Sequence, residues 1–295
     1  MALDELLERE RLPREFWQVI EHAYVPLVER IVLERRSRSD ALVVGLCGPQ
    51  GSGKSTLALV MQALLRERDV TAAILSLDDL YLTRAERLAL SKRVHPLLET
   101  RGVPGTHDVR LGLSTMEALR ASDVVALPSF DKALDERRPR EQWFKVQAPV
   151  QAIILEGWCV GAVPQSAPEL AKPVNALERD FDFGGIWRRY VNETLAGEYQ
   201  RLFVNIDLLI LLKAPSFDVV YGWRVEQEHK LRERVEARHG GAGHIMSDAQ
   251  IEHFVSHYER LTRHILAEMP NRADVVVHLD AARRPTSVEL KSPST

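Results

Sequence analysis

At 295 residues the chain has room for one large α/β domain, and its 45% hydrophobic and 27% charged residues exclude a disordered or fibrous chain. A formal net charge of −3 argues against an electrostatic nucleic-acid binder. No apolar run approaches the length of a membrane span.

The chain begins with an acidic stretch that lacks an apolar signal core. Residues 1–36 read as helical, because Leu6, Leu7, Phe16, Ile20, Ala23 and Leu27 recur at spacings near three and four, with Pro13 and Pro26 marking starts or kinks. A polar connector, 35–40, then leads to the first strand, so residues 1–40 are expected to form a helical extension. The chain's two cysteines, Cys47 and Cys159, suit neither a disulfide framework nor a zinc cluster. Buried thiols and a cytoplasmic address are the expectation.

Residues 48–56, Gly48-Pro49-Gln50-Gly51-Ser52-Gly53-Lys54-Ser55-Thr56, carry the pattern G-x-x-x-x-G-K-[ST]. The apolar run Ala41–Cys47 precedes it, and good helix formers without Pro or Gly follow it. Strand, glycine loop and helix are the context a phosphate loop requires. Its glycines let backbone N–H groups point inward as an anion nest, and the helix adds its own N-terminal amides. Lys54 is then expected to reach the β- and γ-phosphates of a nucleoside triphosphate, Ser55 to ligate Mg²⁺, and Thr56 to lie just behind.

Five more apolar runs fit buried parallel strands: 71–77, 123–127, 152–155, 208–213 and 275–279. Helical patterns at 56–67, 114–121, 190–202 and 249–268 separate several of them. The fold class predicted is an α/β P-loop NTPase: a doubly wound parallel sheet flanked by helices, with the helical extension and a lid. The P-loop domain is expected to span 41–282, with 128–150 an irregular excursion over the sheet edge and 283–295 a flexible tail.

Ligands bind beyond the carboxyl ends of such strands. After 71–77 come Asp78, Asp79 and Tyr81, where a carboxylate suits a general base or a magnesium ligand, or caps the next helix. After 152–155 comes Glu156, at the place of an acid that holds the magnesium hydration shell. The loop 101–108 concentrates Arg101, His107 and Asp108 among glycines and proline, as a clamp for a small anion or as a plain surface turn. Asp131 and Lys132 follow the 123–127 run in the same manner. The charged segment 221–234 reads as a helix leading into the glycine-rich 240–243, with Arg224 first among its arginines to meet nucleotide.

Together, Ser76–Thr83, Arg101-Gly-Val-Pro-Gly-Thr-His-Asp108, Phe130-Asp-Lys132 and Leu155-Glu-Gly-Trp158 resemble the D-glycerate 3-kinase family, within the larger P-loop group of uridine kinase, phosphoribulokinase and pantothenate kinase. The likeness runs from about residue 41 to 280. It departs from the plant enzymes at Ser129-Phe130, where those carry Arg-Tyr. The resemblance implies Asp78 as base toward the acceptor hydroxyl, and Glu156 as the magnesium-associated acid. It puts Arg101, His107, Asp108, Asp131 and Lys132 around the acceptor, and Arg224 at the start of the lid. It implies ATP, Mg²⁺ and a small hydroxy acid as partners, and phosphorylation of D-glycerate to 3-phosphoglycerate. A kinase of a nucleoside, a pantothenate-like acid or a sugar phosphate stays open, as does an ATP-binding regulatory protein.

Overall fold

The computed structural model describes residues 3–10, 12–226 and 247–291. Among these, ten strands form: β1 (Leu42–Cys47), β2 (Ala72–Ser76), β3 (Val124–Leu127), β4 (Phe130–Asp131), β5 (Glu136–Arg137), β6 (Phe144–Gln147), β7 (Ala152–Gly157), β8 (Leu208–Lys213), β9 (Val275–Leu279) and β10 (Pro285–Leu290). Six make the central sheet, in the order β10-β9-β8-β1-β7-β2. The five from β9 to β2 are parallel, and β10 runs antiparallel on β9. The doubly wound parallel sheet is therefore as the apolar runs predict.

Every residue of β1 and of β7 is buried, which is why both read as unbroken apolar runs rather than alternating ones. Side chains leave the sheet on opposite faces in turn. Val44, Leu46, Ile154 and Ile210 join one apolar layer with Leu57, Met61 and Leu65 of helix Lys54–Arg66. Val43, Cys47, Ile153 and Leu211 join the other, with Met116 and Leu119 of helix Val109–Ala121. Each such aliphatic side chain contributes about 1.5–3 kcal/mol on burial. A smaller cluster of Leu90, Leu98, Val103 and Trp187 ties helix Arg84–Arg93 to helix Ile186–Thr194.

Three sequence expectations are corrected. The run 123–127 is not a strand of the parallel sheet: β3 pairs antiparallel with β6 in a separate ribbon. Val125 is buried while Val124 is 54% exposed, so the run covers one face only. The stretch 128–150 is more ordered than expected, since it also holds the β4–β5 hairpin. The tail expected from 283 contains β10, whose backbone completes the sheet edge beside β9.

The amino-terminal helices, Leu3–Arg9 and the run from Phe16 to Arg36, place Leu6, Leu27 and Ile31 in the same apolar layer as helix Lys54–Arg66. The segment is one wall of the domain. No described helix is long and apolar enough to cross a membrane.

Candidate active site

The phosphate loop joins β1 to helix Lys54–Arg66, with Gly51 at φ 78° and Gly53 at φ 87°. Both angles lie in the left-handed region, open to glycine without strain. Nothing stands within 4 Å of where a Cβ on Gly53 would be, so the loop leaves room above the helix end. At Gly51 a Cβ would meet the Trp223 side chain at 2.7 Å. Gly48 is equally tight, since a Cβ there would lie 2.8 Å from the Ser52 hydroxyl. Pro49 and Ser52 are buried and close the turn through Ser52 N–H donating to the Pro49 carbonyl, 3.2 Å. Lys54 and Thr56 are half-buried and Ser55 is exposed at the helix start.

Sheet register brings the acid to this loop. Leu46, Glu156 and Ser76 lie side by side on β1, β7 and β2. One Glu156 oxygen, Oε1, accepts from the hydroxyls of Ser76 at 2.7 Å and Ser55 at 3.4 Å. The other, Oε2, is buried with no partner among the described residues. A buried carboxylate oxygen left bare beside a serine hydroxyl fits a hydrated divalent cation, whose remaining ligands are phosphate oxygens and water. Among the described residues no cluster of three His, Cys, Asp or Glu could hold a metal without such help.

Asp78 follows β2 in a single 3₁₀ turn, Leu77–Asp79. Its Oδ1 accepts from the Tyr81 hydroxyl, 2.9 Å, and its Oδ2 from Lys132 Nζ, 2.6 Å. Burial works to raise the Asp78 carboxyl, but the ammonium groups of Lys132 and Lys54 outweigh it and hold the group well below the usual carboxylate range. It is ionised at any physiological pH. Asp79 points elsewhere: its carboxylate accepts the Phe130 N–H at 2.9 Å and fastens the β4–β5 hairpin to the end of β2. Burial raises its pKa.

Tyr81 and His107 form an isolated antiparallel bridge, and their rings stack with centroids 4.6 Å apart. Burial pushes the His107 imidazole down to about 3, so it is neutral. Thus Asp78, Tyr81, His107 and Lys132 come together from three segments.

Other expected acceptor residues are engaged in building the walls. Asp108 caps helix Val109–Ala121 by accepting the Leu111 N–H, 3.0 Å, and its other oxygen accepts from Arg137, 3.3 Å. Asp131 accepts the N–H groups of Ala133 and Leu134 and pairs with Arg138. Arg101 donates to the Asp135 carboxylate and to the Lys132 carbonyl, so it holds the β4–β5 hairpin rather than standing open as a clamp. Arg224 lies on the helical stretch 217–226, its guanidinium 5.2 Å from the Phe254 ring centre. With Arg101 it lines a cleft of about 440 Å³. The segment 227–246, including the glycines at 240–243, lies outside the described residues.

Four residues escape sequence reading. Ser76 is the direct partner of Glu156. Arg87, 1% exposed, donates to the Asp135 carboxylate at 2.7 Å and to the Glu99 carbonyl at 2.8 Å. In sequence it sits in a run of charges that reads as a solvated helix face. Trp223 packs on the phosphate loop and donates its indole N–H to the Ala281 carbonyl, 2.7 Å. Tyr199 reads as an ordinary core aromatic, yet its hydroxyl meets His107 Nδ1.

No protein-family model matches the chain. It is 34% identical over 266 residues to the uncharacterized kinase mug58 of Schizosaccharomyces pombe, covering 85% of this chain and 92% of that one. Against the chloroplastic D-glycerate 3-kinase of Arabidopsis thaliana it is 29% identical over 291 residues, 90% of this chain and 60% of the plant protein. The structure of D-glycerate 3-kinase from Cryptococcus neoformans superposes with a TM-score of 0.72 at 27% identity, covering 89% of this chain and 96% of that one. The chain belongs to the D-glycerate 3-kinase family of ATP-dependent P-loop kinases.

Proposed function

We propose that this kinase transfers the γ-phosphoryl group of ATP to a hydroxyl of D-glycerate, giving 3-phosphoglycerate. The observation that carries the reading is Asp78: an ionised carboxylate after β2, in the field of the phosphate-loop Lys54 and bonded to Lys132. Phosphoryl transfer needs positioning and charge stabilisation more than covalent help, and these are what the residues provide.

The loop amides and Lys54 hold the triphosphate and draw off negative charge as it builds on the transferred group. Ser55 and the bare Glu156 oxygen would hold Mg²⁺, which would supply positive charge to offset that of the phosphates. Asp78 accepts the proton of the attacking hydroxyl. The Tyr81 hydroxyl and Lys132 fix the direction of its oxygens. Lys132 is 56% exposed at its side chain, so it has room to leave Asp78 for the acceptor's carboxylate. Arg224 closes on the nucleotide from the lid side. A cytoplasmic address belongs to the same proposal, supported by the free, buried thiols of Cys47 and Cys159.

A second reading has one observation in its favour. Arg101 already donates to a carboxylate of its own chain, Asp135, which suits an acceptor that brings no carboxylate, such as a nucleoside or a sugar phosphate. ATP consumption with Mg²⁺ across D-glycerate, L-glycerate, uridine, pantothenate, ribulose 5-phosphate and no acceptor separates the two. Turnover only with D-glycerate is the expected result. Turnover with uridine or ribulose 5-phosphate instead would replace the substrate and keep the mechanism, and equal turnover with no acceptor would end the kinase reading for this site.

A further inference from the structure

His107 has two ring nitrogens, and only one of them has a partner. Nδ1 lies against the hydroxyl of Tyr199, while Nε2 is buried and unpartnered among the described residues. The Tyr199 oxygen also accepts the Gly105 N–H at 3.1 Å. Tyr199 is fully buried, so its single hydroxyl proton needs an acceptor nearby. If Nδ1 carried the ring proton, two donors would converge on the phenol oxygen. The phenol's own proton would then be stranded in the core, which costs about 1–3 kcal/mol. The arrangement that pairs Nδ1, the phenol oxygen and the phenol proton at once has Tyr199 O–H donating to a bare Nδ1, and therefore a proton on Nε2, which is the one donor of the cluster left for a ligand.

Three local features hold this geometry. Tyr199 ends the π-turn Leu195–Tyr199, which interrupts the helical run from Ile186 to Phe203. Gly105 sits at φ 101°, and a Cβ there would meet Tyr190 at 2.7 Å, so the loop keeps its N–H on Tyr199 only with glycine at this place. The His107 ring is stacked on Tyr81, the same residue whose hydroxyl holds Asp78.

We propose that Tyr199 is a positioning residue of the acceptor site: it fixes His107 in the Nε2–H tautomer, as a neutral hydrogen-bond donor to an oxygen of the acceptor beside Asp78. The inference rests on the kinase reading for its ligand, but not for the tautomer. Such a donor discriminates because an acceptor lacking an oxygen at that place leaves a buried N–H unpaired.

The test is ¹⁵N-resolved imidazole NMR of the wild-type protein, with His107 assigned by its loss in His107→Gln. The ligand-free spectrum is expected to show the proton on Nε2 and a bare Nδ1, and D-glycerate is expected to move the Nε2–H resonance. Tyr199→Phe should scramble the tautomer and raise the KM for D-glycerate about tenfold while the KM for ATP stays put. A proton on Nδ1 in the wild-type spectrum overturns the assignment, whether or not Tyr199→Phe folds. Turnover of D-glycerate with the His107 signal unmoved overturns the contact with the acceptor. Failure of D-glycerate to be turned over at all removes the proposed substrate and leaves the tautomer to be judged on the ligand-free spectrum alone.

Discussion

The two halves of the site are made differently. The proposed donor half centres on one contiguous stretch, 48–56, whose shape is set by glycines and which would offer backbone amides and Lys54 to the phosphates. The acceptor half is assembled from side chains far apart in sequence: Asp78 with Lys132, 54 residues away, and His107 with Tyr199, 92 away. A backbone site follows from local conformation and tolerates change around it. A side-chain site depends on every wall that aims it. The difference teaches where substitutions will act: in the donor half on nucleotide handling, in the acceptor half on chemistry and wall stability separately.

The sharpest way to separate the halves is Asp78→Asn. It should lower kcat about 10³-fold, the range for losing a general base, while the KM for ATP changes little in steady-state kinetics. Arg87→Ala attacks a wall without touching the chemistry. It strips the Leu82 and Glu99 carbonyls of their donor while Arg101 still pairs with Asp135, and should lower stability by about 1–3 kcal/mol in denaturant unfolding, well before any effect on ATP affinity. Gly51→Ala tests the donor half by shape alone. A side chain at φ 78° facing Trp223 should cost about 1–3 kcal/mol and weaken ATP binding, read by calorimetry.

The pH dependence sharpens the acceptor half. The folded pKa of Asp78 is held below its unfolded value, so its charge favours the fold above the usual carboxylate range, and that contribution fades as pH falls through the depressed folded value. Lys132→Ala leaves burial opposed mainly by Lys54, so the acid limb of the pH–rate profile should move to higher pH. The smallest effect belongs to a residue that resembles a ligand in sequence. Asp108→Ala removes a helix cap and should cost about 1 kcal/mol of stability, with the KM for ATP unchanged.

Much of the fold was legible because buried parallel strands announce themselves as apolar runs, and five of the six sequence runs are strands of the parallel sheet. The exception, 123–127, has the same composition but half the burial, and composition does not report which face is covered. The edge strand β10 was illegible for the opposite reason. Its residues are half-buried or exposed, and its place is held by backbone pairing to β9. In the 101–108 loop, Arg101 and Asp108 carried a binding signature while serving as wall and cap. Arg87 and Tyr199 carried none, since a charged helix face and a core aromatic are what solvent and packing also select.

The sequence by itself determined the phosphate loop, the strand before it and the helix after it, because glycine freedom, apolar runs and helix formers act over a few neighbouring residues. It also determined that carboxylates follow β2 and end β7. Only the tertiary structure decided which carboxylate meets which cation: Asp78 with Lys132, Asp135 with Arg87 and Arg101, Asp131 with Arg138. Any of these charges could pair with any other in the chain. Strand register and the packing of the hairpin against the loop fix the few ångströms over which a hydrogen-bonded ion pair forms.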